Sequence, residues 1–152
     1  MNKIIKLIIV PFLIFLANVV HAEDVIMYRA NQNYVDTMTA LQNAVIDHKY
    51  TLSRVQRVDI GLNQAGYKTD RYRIVFFGKP DEYKKISEKH PELTAYIPLR
   101  IVIYAEGDDT MLVALNPVYY SKIVDNKELN VLYKRWSNDI RSIMNEVRKA
   151  DE

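Results

Sequence analysis

The chain has 152 residues, with 21 Lys and Arg against 19 Asp and Glu, and no cysteine. The length suits one domain. Without thiols there can be no disulfides, cysteine catalysis, thiolate metal sites, covalent haem attachment or lipoprotein anchor carried on a cysteine. The small positive excess of two is matched by Lys3 and Lys6 alone, so no basic nucleic-acid footprint is expected.

Those two lysines precede an apolar run, Leu7 to Val20, broken only by Pro11 and Asn18 and closed by Val20-His21-Ala22. A positive start, a short apolar stretch and small residues at its end predict a secretory signal peptide over residues 1–22, too short for a comfortable membrane span. Cleavage there leaves 152 − 22 = 130 residues, one domain over 23–152, with 19 charges of each sign. The expected location is periplasmic or secreted, with no membrane anchor after cleavage.

The mature part starts with a strand, Asp24 to Arg29, followed by a helix capped by Asn33 and running to about His48. Met38, Leu41 and Val45 recur in it at helical spacing, and Asp36 sits near the positive helix end. A second strand, Thr51 to Val58, breaks strict alternation at Leu52 and Val55, which predicts a bulge. Gly61 to Tyr67 reads as one helical turn closed by Gly66. Arg71 to Phe77 is strongly β in composition and is stopped by Pro80, which opens a short helix ended by Pro91. From Leu99 to Leu115 two β-rich runs flank Glu106-Gly107-Asp108-Asp109, the signature of a tight hairpin. The closing helix carries a capping box, Asp125-x-x-Glu128, and an apolar stripe of Leu129, Leu132, Trp136, Ile140, Ile143 and Val147. The fold class is α+β: an antiparallel sheet of about four to five strands with helices packed on it, in β-α-β-β-β-α order.

Several of these segments carry a resemblance. "YRIVFFGKP", "IPLRIVIY", "AEGDDTMLVALNP" and "RWSNDIRSIMNEVR" resemble the DUF302 family of small domains, with Phe77, Gly78, Pro80 and Pro98 to Arg100 as the most specific positions. The resemblance spans the mature chain and implies the same arrangement. Many family members carry an Asp-His pair ahead of the Phe-Gly-x-Pro strand. Here the matching positions are Asp59 and Ile60, so no imidazole chemistry carries over.

Candidate chemistry is sparse. Glu88-x-His90-x-Glu92 has metal-ligating side chains but sits at a helix end before Pro91, where they need not converge. Asp108 and Asp109 belong to a turn, where Asp is favoured for its backbone geometry and cannot be buried as an acid–base pair requires. No catalytic residue, metal or cofactor is assigned. The eleven tyrosines read as half-buried packing with polar tips, Tyr28, Tyr34, Tyr72 and Tyr104 among them.

One feature points to binding. With Tyr72, Ile74 and Phe76 assigned to one sheet face alongside Leu99, Ile101 and Ile103, the other face takes Arg73, Val75, Phe77, Arg100, Val102 and Tyr104. Leu112 and Ala114 join that second set. It is too apolar for open solvent and is framed by two arginines, so it is expected to be covered by a second subunit, an envelope partner protein or a small apolar ligand, the alternative being that one of the chain's own helices covers it. The expected function is therefore an exported, non-catalytic binding or oligomerisation module, most simply a homodimer. The alternatives are a small periplasmic hydrolase or metal-dependent enzyme, and a structural subunit of an envelope assembly.

Overall fold

The computed structural model describes residues 24–150. The expected signal peptide, residues 1–22, lies outside them. The described chain forms β1 (Val25–Ala30), α1 (Tyr34–Asp47), β2 (Thr51–Arg57), α2 (Val58–Gln64), β3 (Tyr72–Gly78), α3 (Pro80–Lys89), β4 (Leu99–Glu106), β5 (Asp109–Leu115) and α4 (Lys127–Lys149). Two 3-10 turns, Pro91–Ala95 and Pro117–Lys122, follow α3 and β5. The five strands make one antiparallel sheet in the order β1-β5-β4-β3-β2. The architecture is α+β, as expected.

Local chemistry explains the element ends. Asn33 accepts from the Val35 and Asp36 amides at the start of α1, satisfying donors that a helix leaves orphaned. The cap of α4 is Asn126, whose side chain accepts from Glu128 and Leu129. The expected capping box based on Asp125 is therefore displaced by one residue, and Asp125 instead accepts from the Asn130 side chain at 2.8 Å. The bulge in β2 falls between Leu52 and Arg54. Gly66, at φ 89°, occupies the left-handed region after α2.

The helices cover one face of the sheet. Ile26, Val75, Phe77, Leu99, Ile101, Ile103, Leu112 and Ala114 rise from the strands into the same core as Leu41 and Val45 of α1 and Trp136, Ile140 and Ile143 of α4. The stripe of α4 is as expected, with Leu132 half-buried and Tyr133 and Met144 added to it. Trp136 makes an edge contact with Tyr83 at 6.4 Å and a tilted one with Tyr133 at 6.1 Å.

The Phe-Gly-x-Pro element has a steric reason. Tyr83 of α3 lies over Gly78, donates to the Phe77 carbonyl at 2.7 Å and accepts from the Leu99 amide at 2.8 Å. It thus ties β3 to the start of β4. A Cβ on Gly78 would overlap the Tyr83 ring, while Pro80 supplies the first residue of α3. Gly78→Ala is therefore expected to lower stability by about 1–3 kcal/mol through overpacking, measured by denaturant melts. An unchanged midpoint would show that the ring can move aside.

Buried tyrosines make the fold sensitive to alkali. Burial, with a hydrogen bond to Asp139, pushes the Tyr50 phenol above its ordinary value of 10.0, and burial does the same for Tyr83 and Tyr120. The native state therefore holds these protons more tightly than the unfolded chain. Their stabilising contribution is complete below about pH 10 and is lost as the pH rises above it. Thermal melts are expected to fall steeply between about pH 10 and 11; a flat profile would mean that the phenols are solvated.

Candidate functional site

Strand register decides what each sheet face presents. β3 and β4 pair Val75 with Ile101, Phe77 with Leu99 and Arg73 with Ile103. Arg73, Val75 and Phe77 therefore share the helix-covered face with Leu99, Ile101 and Ile103, and Leu112 and Ala114 belong there too. The expected single face of Arg73, Val75, Phe77, Arg100, Val102 and Tyr104 is thus two half-faces on opposite sides of the sheet. Only Arg100, Val102 and Tyr104 lie opposite the core.

Tyr72, Ile74 and Phe76 join them, because the pairs are Tyr72 with Tyr104, Ile74 with Val102 and Phe76 with Arg100. This second face forms rows across the sheet. The central row runs Met27, Val113, Val102, Ile74 and Gln56. Next to it lies a row of Arg29, Met111, Tyr104 and Tyr72, where the two tyrosine rings meet edge to face at 6.4 Å. The row on the other side holds Val25, Leu115, Arg100, Phe76 and Arg54.

No element of the core is laid over this face among the described residues. Tyr72, Ile74, Phe76, Val102, Tyr104 and Val113 are only half-buried, and Val25 and Met27 are 44% and 55% exposed. Met111, flanked by Arg29 and Tyr104, is buried at 8%. Antiparallel sheets do present one face to water, but that face is then polar. This one is apolar across its centre, with charge at its two ends. Arg54 and Arg100 stand exposed at one end. At the other, Arg29 bonds Asp109 at 2.8 Å and pairs also with Glu106, beside Asp108 at the hairpin tip.

Other polar groups are already engaged. Arg73 pairs with Asp59, which is 8% exposed, and so ties α2 to β3. Asp59 has no local signal in the sequence beyond its match to a family position, because its partner Arg73 lies on the next strand. The nearby Tyr34 hydroxyl is buried without a hydrogen-bond partner, and its ring carries Arg71 at 5.7 Å. His48 lies 3.0 Å from Glu146, and His90 lies 3.4 Å from Glu92. Among the described residues no three His, Asp or Glu side chains converge as metal ligands would. A groove of about 380 Å³ separates α3 from α4, lined by Ile86, Leu129, Lys85 and Glu82. Its carboxylate Glu82 is taken up by Arg135 and by the Trp136 indole at 2.8 Å.

With this geometry in view, the family model "Domain of unknown function DUF302" matches residues 26–147. The chain belongs to the DUF302 family. Among solved structures, an uncharacterized conserved DUF302 protein from Bacillus stearothermophilus superposes with a TM-score of 0.76 at 13% identity. The match covers 84% of this chain and 100% of that one, and at this identity it speaks for the fold alone. No curated protein matches. Within the DUF302 frame, the Phe-Gly-x-Pro strand is β3, whose end Tyr83 of α3 ties to the start of β4.

Proposed function

We propose that this DUF302 domain is an exported binding or oligomerisation module that works through the sheet face opposite its helices. A single observation carries the reading: Met27, Val113, Val102 and Ile74 form one apolar row that no element covers among the described residues. Soluble chains seldom leave such a patch open, because hiding it from water stabilises association by roughly 25 cal/mol per Å². The partner is another copy or an envelope protein, and the face presents hydrocarbon and aromatic surface rather than reactive groups. Export rests on the Lys3, Lys6 and Leu7 to Val20 pattern.

The test is Val102→Asp. The variant is expected to keep the far-UV spectrum of the wild type and to lose association in analytical ultracentrifugation of the chain as isolated from cells. If it unfolds, the face is core and the reading fails. Intact mass of the same preparation is expected to start at Glu23; a major species retaining residues 1–22 would refute export with cleavage.

A further inference from the structure

The charges at the two ends of the uncovered face identify its occupant. Arg54 and Arg100 make one end positive. Glu106, Asp108 and Asp109 make the other negative, with Arg29 offsetting one of the three. Between them lie the apolar rows of Val102 and Tyr104. A surface with opposite charges at its two ends and hydrocarbon between them is complementary to itself when one copy is turned end for end.

We infer that the partner is a second copy of this chain, packed sheet on sheet about a two-fold axis that crosses the strands at the level of Ile103. This rests on the docking-face reading above. With the axis there, Val102 of one copy faces Tyr104 of the other, and Ile74 faces Tyr72. Arg100 comes over Glu106, and the symmetry repeats each contact. The alternative two-fold, parallel to the strands, sets Arg100 against its own copy and the acidic hairpins against each other. Like charges disfavour it. From Arg100 to Glu106 and from β1 to β2 the face measures about 20 by 19 Å between Cα positions. Side chains beyond the outer Cα atoms bring it to about 600 Å² per partner, the lower end of what a stable specific interface buries. The two sheets would stack about 10 Å apart with their side chains interleaved.

A charge exchange tests the pairing. Arg100→Glu alone and Glu106→Arg alone are each expected to weaken the dimer about tenfold, since each removes two symmetric ion pairs and creates repulsion. Combining Arg100→Glu with Glu106→Arg is expected to restore the dimer to within about threefold of wild type. A spin label at Asp108→Cys, in a chain with no other cysteine, reads the arrangement from the hairpin tip; it removes one of the three acidic charges and leaves Arg100 and Glu106 in place. Hairpin tips about 35 Å apart support the crossing two-fold, and tips about 10 Å apart overturn it in favour of the parallel one. A wild type that stays monomeric while Val102→Asp remains folded overturns the second copy as occupant and leaves the docking face standing. A dimer that persists in Val102→Asp overturns both.

Discussion

Phe77→Asp is expected to abolish cooperative folding, whereas Val102→Asp costs only about 1 kcal/mol, the scale of a strand-propensity change. The two positions lie on adjacent strands and look alike in sequence, an apolar residue in a β-rich run. Phe77 is fully buried against Tyr50, with ring centroids 5.4 Å apart, and pairs with buried Leu99. A carboxylate there has no partner and no water, and the loss exceeds about 4 kcal/mol. Val102 is half-buried between Ile74 and Val113 on the uncovered face, where an aspartate can reach solvent. Far-UV circular dichroism with urea melts checks both, at concentrations low enough that association adds nothing to stability. Equal losses in the two variants would show that both faces are core, and the binding reading would lose its physical support.

Trp136→Ala is expected to destabilise the domain by about 3–5 kcal/mol. The side chain is fully buried at the middle of α4, where Tyr83 and Tyr133 flank it. Its indole also donates to Glu82 at 2.8 Å, and Glu82 in turn pairs with Arg135. Truncation opens a large cavity and removes a donor from a partly buried carboxylate, so both terms act in one direction. Chemical denaturation measures the sum. A loss under about 1 kcal/mol would mean that the α4 stripe does not anchor the core. The size of the effect also reports on the groove between α3 and α4, because Glu82 is held in its wall by the same indole.

The sequence by itself determined most of the elements, though the helical turn expected at Gly61 to Tyr67 is a helix at Val58–Gln64 that begins where the strand was expected to end. Helix and strand periods differ, and caps and turns use few residue types, so Asn33, Pro80 and the Glu106 to Asp109 hairpin were legible as local chemistry. The α4 stripe was legible for the same reason. The Asn126 cap was missed because Asp125, one residue earlier, is an equally good capping residue by type. The binding face was legible only in part. In β3 both alternating sets are apolar, Tyr72, Ile74 and Phe76 as much as Val75 and Phe77, so the two-residue period marks a strand without marking its inner side. A one-residue slip in register exchanges every side chain between faces, and joining Val75 and Phe77 to Val102 and Tyr104 was such a slip. Only the tertiary structure, by pairing Val75 with Ile101 and Ile74 with Val102 and laying α1 and α4 over the first set, decided which row is core and which remains to meet a partner.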